Sequence, residues 1–210
     1  MKQIFTILAL ILIVGCAKTT TSSIEYEVKT TSEADSKEFV SECTGYVELE
    51  TTDKSLIGEI LKIKIYNGDI YIKSYQNPSL LRFDSSTGKF KNSIGIKGRG
   101  PKEYATFSDF DISGNYAYIY SNVSRKVLKY KIDGEFVEVI EAPNIYCWNI
   151  SVDKNENIYL YYDLGDYRNI DIYFYDGGFD SIDITSDCHL FFDMKVDDNG
   201  GAYMFCLVNY

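Results

Sequence analysis

The residues best suited to chemistry in this chain lie in one loop, Ile94-Gly95-Ile96-Lys97-Gly98-Arg99-Gly100-Pro101-Lys102-Glu103-Tyr104. Its three glycines and its proline let the backbone turn tightly and approach another segment closely. Arg99 offers a planar fork of donors, Glu103 an acceptor, and Tyr104 an apolar ring with a hydroxyl. Facing a ligand, Arg99 would grip a carboxylate or a sugar acid, with Glu103 and Tyr104 beside it. In the structural alternative the loop is a crossover in which Arg99 pairs with Glu103 or a backbone carbonyl. That alternative is preferred, because a chain built of repeats needs specialised connections even where nothing binds.

Other candidates carry less. Cys188-His189 invites a thiolate, but no third partner is identifiable, and core or disulfide packing is the preferred reading. Asp197-Asp198-Asn199-Gly200 has calcium-loop chemistry without the spaced ligands and closing Glu of an EF-hand, and it aligns with ordinary hairpin turns. With a single histidine, His189, a His-rich metal site or a two-histidine acid and base scheme is unavailable. Neither a cofactor nor a metal ligand set is expected. Setting Cys16 aside, Cys43, Cys147, Cys188 and Cys206 permit three pairings, with a disulfide and four buried thiols equally open. The net charge of −10, without a Lys/Arg cluster, argues against nucleic acid as a partner.

At the N-terminus Lys2 gives a positive start, Ile4 to Val14 an apolar run of eleven residues, and Gly15 a small residue before Cys16. That run is too short to span a bilayer as a helix, which takes about 20 residues, so it reads as an export signal. Ile13-Val14-Gly15-Cys16 resembles the lipobox of bacterial lipoprotein precursors, which implies cleavage before Cys16 and its acylation. Residues 1–15 are then a leader, 16–38 a lipid-anchored tether, and 39–210 the folded domain. No acidic cluster follows Cys16, which leaves the periplasmic and surface faces of the outer membrane open.

The elements that must hold the loop are repeats. An Asn/Asp/Gly turn followed by aliphatic-Tyr-aliphatic recurs around Tyr71, Tyr118, Tyr159 and Tyr203, at spacings of 47, 41 and 44 residues. Such a period belongs to propellers. A later strand keeps phase through Phe83, Tyr130 and Tyr175. Nineteen tyrosines and twelve phenylalanines against three prolines favour strands joined by tight turns. Four strands are predicted in each repeat: Ile60–Ile65, Ile70–Lys73, Leu80–Phe83 and Phe90–Ile94; then Phe107–Ile112, Tyr116–Tyr120, Val127–Lys131 and Phe136–Ile140; then Trp148–Val152, Ile158–Tyr162, Ile170–Tyr175 and Phe179–Ile184. A fourth repeat opens with Phe191–Val196. The alternating segment Tyr46–Thr52 is expected as a leading strand. The fold class is therefore all-β, an incomplete β-propeller of four-stranded antiparallel blades, roughly three and a half at this period.

The Gly95–Tyr104 loop, with Leu49-Glu50-Thr51-Thr52 and the lipobox cysteine in order, resembles the six-bladed β-propeller lipoproteins of Bacteroidetes with NHL-like blades. The resemblance covers Cys16 to Tyr210, about the first half of a family member. It implies a cell-envelope protein anchored to the membrane through Cys16. The preferred function is a binding or interaction module for a glycan, peptide or protein partner. The competing one is a propeller enzyme, a lyase or calcium-dependent hydrolase, with oxygen ligands converging on the axis at about 2.3 to 2.6 Å from one point.

Overall fold

The computed structural model describes residues 45–142, 146–163, 168–184, 190–196 and 202–207. The first repeat forms β1 (Ile60–Tyr66), β2 (Asp69–Ser74), β3 (Leu80–Asp84) and β4 (Phe90–Ile94). The second forms β5 (Asp109–Ser113), β6 (Tyr116–Ser121), β7 (Lys126–Lys131) and β8 (Phe136–Glu141). The third forms β9 (Asn149–Val152), β10 (Ile158–Asp163), β11 (Arg168–Tyr173) and β12 (Phe179–Asp183), and β13 (Leu190–Val196) with β14 (Ala202–Leu207) opens the next. Each set of four is one antiparallel meander in sequence order, and β13 pairs with β14. No helix occurs among the described residues.

Turn chemistry sets these hairpins. Asn67 and Gly68, between β1 and β2, both have positive φ (47° and 78°), the condition of the tight turn that matches strand twist. The repeat tyrosines then occupy equivalent places in the ladders. Tyr71 lies opposite Lys64, Tyr118 opposite Asp111, Tyr159 opposite Ser151 and Tyr203 opposite Lys195. The second register slips once. Phe83 faces Ile70 and Tyr130 faces Ala117, but the equivalent place opposite Ile158 belongs to Tyr173, with Tyr175 two residues beyond the strand. A shift of two residues preserves side-chain phase in a strand, so alternating tyrosines hide it.

Packing follows from the two-residue period. Along β6, Ala117 and Ile119 point into a layer with Tyr71, Leu80 and Ile94 of the first sheet, while Tyr118 and Tyr120 point into a layer with Ile150, Ile158 and Leu160 of the third. Along β10, Tyr159 and Tyr161 in turn meet Met194 of β13. A central strand buried on both faces must be apolar along its length, which is why Tyr116–Tyr120 of β6 and Ile158–Tyr162 of β10 hold only Tyr, Ile, Leu and Ala. Each fully buried side chain of this kind contributes about 1.5–3 kcal/mol. The first strands stand side by side, β1 by β5, β5 by β9 and β9 by β13.

Tyr46–Thr52 departs from expectation, since it forms no strand. Leu49 and Ile57 instead lie over Ile72, Leu81 and Phe83 on the outer face of the first sheet. The Glu50 N–H donates to Gly88 O at 2.9 Å, and the Glu50 carboxylate accepts the Phe90 N–H at 2.9 Å. The alternation is that of a segment clasping a sheet through its apolar side chains. Trp148, expected inside a strand, sits just before β9 and is 54% exposed. Cys147 is a free, buried thiol. Cys16, Cys43, Cys188-His189 and Asp197-Asp198-Asn199-Gly200 lie outside the described residues, as does the side chain of Cys206.

Candidate functional site

Strand pairing places the connections at two ends. Ile60 opens β1 opposite Ser74, where β2 finishes, and Leu80 opens β3 opposite Ile94, where β4 finishes. The starts of β1, β5 and β9 and the inter-sheet connections therefore share one end, here called the mouth. The hairpin turns at Asn67-Gly68, Gly114-Asn115 and Lys154–Asn157 lie at the other.

The glycine-rich loop is at the mouth, and its side chains divide. Tyr104 is buried in the first inter-sheet layer, edge-on to Phe107 and Tyr130 at centroid distances of 5.2 and 6.4 Å. Its hydroxyl donates to Ile94 O at 2.7 Å and accepts the Leu80 N–H at 3.4 Å. Burial pushes its pKa well above the usual phenol range. Gly95, at φ 83°, is required by this ring, since a Cβ there would lie 2.3 Å from Tyr104 Cε1. Glu103 folds back on the loop: it accepts the Gly100 N–H at 2.9 Å, and a Cβ on Gly98 would meet its carboxylate at 1.8 Å. Arg99 points outward, exposed, with no hydrogen bond or ion pair among the described residues. The structure thus keeps Arg99 at the surface and does not bring Glu103 and Tyr104 to one ligand-facing patch with it. Nor does Arg99 pair with Glu103.

The first strands assemble a ladder of polar contacts that begins at the mouth and runs toward the other end. Lys62 of β1 reaches both oxygens of Asp109 on β5, at 2.8 and 2.9 Å, and Lys64 pairs with Asp111. The same carboxylates accept backbone N–H groups from the free edge of β9: Ile150 N to Asp109 Oδ2 at 3.0 Å and Val152 N to Asp111 Oδ2 at 2.8 Å. Ser151 Oγ does the same for Val196 N of β13 at 3.1 Å. An exposed strand edge is a row of unpaired donors, and here each blade covers part of the next blade's edge. Burial raises the Asp109 pKa, with Lys62 opposing it.

At the mouth end of this ladder opens a pocket of about 260 Å³ walled by Leu61, Lys62, Lys73, Ser108, Asp109, Trp148 and Asn149. Lys73 Nζ donates to Ser108 O and makes no ion pair among the described residues. Burial lowers its pKa, against the pull of Asp109 and with the push of Lys62. Ser108 Oγ is buried without a hydrogen-bond partner. Trp148 stands at the rim with Tyr146, itself 44% exposed, edge-on at 4.9 Å. The matching spacing of Lys62 to Asp109 and Lys64 to Asp111, both 47 residues, was the signal in the sequence for the ladder. None announced the pocket, because Trp148 reads as one more apolar strand residue.

A second cavity, about 350 Å³, lies between the second and third blades toward the other end. Lys129 occupies it, held to Glu156 at 2.5 Å and Glu138 at 3.4 Å, 4.4 Å above the ring centroid of Tyr116. Burial works against its charge, and the two carboxylates more than restore it, so its pKa is raised. This cage already holds its cation and serves as a clamp between blades. Among the described residues no three His, Cys, Asp or Glu side chains cluster to hold a metal ion.

A model of a domain of unknown function, DUF4934, matches residues 19–206 of the chain. No curated protein sequence matches it. Among solved structures the chain is similar to a Bacteroides fragilis protein described as exported, at 23% identity and a TM-score of 0.61, over 77% of this chain and 49% of that one. It is also similar to virginiamycin B lyase of Staphylococcus aureus (12% identity, TM-score 0.52, 76% and 52% covered) and to the WD40 repeats of RRP9 (10%, 0.52, 75% and 53%). The class is thereby a β-propeller of four-stranded blades. The chain spans about half the length of these structures.

Proposed function

The chain belongs to the DUF4934 family, and on that premise we propose that it is a cell-envelope binding module that takes a glycan, peptide or protein partner at the mouth of its propeller. One observation carries this reading. The charged groups of the inner strands are committed to holding blades together, Lys62 and Lys64 to Asp109 and Asp111, and these carboxylates to β9. What remains open at the mouth is recognition chemistry: an exposed tryptophan, an ammonium and small polar groups. Arg99, outward on the same end, adds a further donor fork.

The same reading places the protein in the outer membrane, tethered through an acylated Cys16, in keeping with the leader and lipobox pattern. Several acyl chains on one residue make such an anchor stable, at about 0.8 kcal/mol per buried CH₂. It also envisages a closed ring of six blades, the number that the resemblance of the Gly95–Tyr104 loop implies. Cys16→Ser is expected to move the protein from the membrane fraction to the soluble one, and continued membrane association would refute the tether.

Mass spectrometry of envelope glycan and peptide pools incubated with the protein tests binding against turnover. The module is expected to enrich components that are recovered chemically unchanged. Appearance of cleaved or eliminated products would replace this reading with the enzymatic one.

A further inference from the structure

Resting on the binding-module reading, we infer that the Trp148 pocket takes an acidic sugar unit, its ring on the indole face and its carboxylate at Lys73.

Charge is the first argument. The protein carries −10 overall, yet the pocket wall holds two lysines against one aspartate. Asp109 is already saturated by both contacts from Lys62 and by the Ile150 N–H. Lys73 is different. An ammonium has three donors, and this one gives a hydrogen bond to a neutral carbonyl, Ser108 O, with no carboxylate in ion-pair range among the described residues. Lys73 is half-buried, its Nζ 5.5 Å from the Phe107 ring centroid, and a cation so placed is completed by an anion from outside. Burial lowers the Lys73 pKa, and an anion beside it would oppose that shift.

The remaining wall selects the rest of the ligand. Ser108 Oγ is buried and unpartnered, and a turn of its side chain toward the pocket would let it donate to or accept from a ligand hydroxyl. The Asn149 amide, with no side-chain hydrogen bond among the described residues, offers a donor and an acceptor more. Trp148 at 54% exposure, braced by Tyr146, gives a flat apolar face beside these polar groups. A ring with one apolar face, hydroxyls on its rim and one carboxylate satisfies all of them. An extended acidic peptide would supply the charge but no ring for the indole. At about 260 Å³ the cavity is smaller than the roughly 300–1,000 Å³ of drug-sized sites, which suits a single sugar unit of a longer chain.

Trp148 is the sole tryptophan of the sequence, so its emission reports this pocket alone. The probes are a galacturonic acid trisaccharide, the corresponding neutral galactose trisaccharide, and a short polyglutamate. The acidic sugar is expected to change Trp148 emission saturably and to bind at least about tenfold more tightly than the neutral one, the worth of one charge-assisted contact. Polyglutamate should leave the emission unchanged. By calorimetry, Lys73→Met should remove the preference for the acidic sugar, Lys73→Arg should retain it, and Trp148→Ala should weaken both sugars. Equal binding of acidic and neutral sugars, a response to polyglutamate alone, or no response to any probe would overturn the inference. The binding-module reading would survive each of these provided the envelope pools still yield an unchanged, enriched component.

Discussion

At the scale of the residue, Tyr104 and Arg99 show why a conspicuous motif misleads about its own members. Glycine, proline, arginine, glutamate and tyrosine in one short loop suggest a grip on a ligand. The folded loop spends most of them on itself: Gly95 makes room for the Tyr104 ring, and Gly98 and Gly100 close around the Glu103 carboxylate. Only the contacts could reveal this, because the same residue types serve binding and self-packing equally well. Tyr104→Phe leaves Ile94 O without its buried donor and is expected to cost about 1–3 kcal/mol. Arg99→Ala should change stability by less than about 0.5 kcal/mol, as surface positions do. Urea melts of the two variants check this pair, and equal losses would mean that Arg99 is structural after all.

At the scale of the element, strands were legible because the two-residue period and the turn residues agree. The first strand of each blade is the informative one. Lys62 and Lys64, Asp109 and Asp111, then Ser151 look like the polar face of half-exposed strands. In the structure they are interblade fastenings, and β5 is wholly buried. Asp111 serves Lys64 on one side and Val152 N on the other. Asp111→Asn keeps an acceptor and loses the charge, whereas Asp111→Ala loses both. The alanine variant is expected to lose about 3–5 kcal/mol, because a lysine and a strand edge are left without their partner, and the asparagine variant less. Breaking the exposed pair Lys126–Glu141 should cost under about 1 kcal/mol. Denaturant titration of the three variants reads the order directly. Two misreadings share a cause at this scale. Tyr173 against Tyr175 is a slip of a whole two-residue period, and Tyr46–Thr52 alternates because it clasps a sheet and not because it pairs with one. Pattern specifies which side chains point inward, and not what they point at.

At the scale of the whole molecule, the core is a stack of sheets cemented by tyrosine, and that has a consequence in alkali. Burial raises Tyr120 and Tyr130 to about 12 from an ordinary 10.0, and raises Tyr104, Tyr118, Tyr161 and Tyr173 further. The folded state keeps these protons above pH 10 while the unfolded chain loses them. Unfolding then releases protons, so stability falls as pH rises from about 10 through 12. Phenolate absorbance is expected to rise first for exposed rings such as Tyr46 and Tyr75, then in a cooperative step coincident with loss of far-ultraviolet dichroism. A single smooth titration centred near 10 would contradict the burial.

The two ends of the propeller make the functional claim testable without knowing the ligand. Hydrogen–deuterium exchange across the whole chain, with and without the envelope component it enriches, should show protection in peptides covering residues 95–108 and 146–149 at the mouth. Protection confined to the turns at residues 67–68, 114–115 and 154–157 would place the partner at the opposite end and contradict the account.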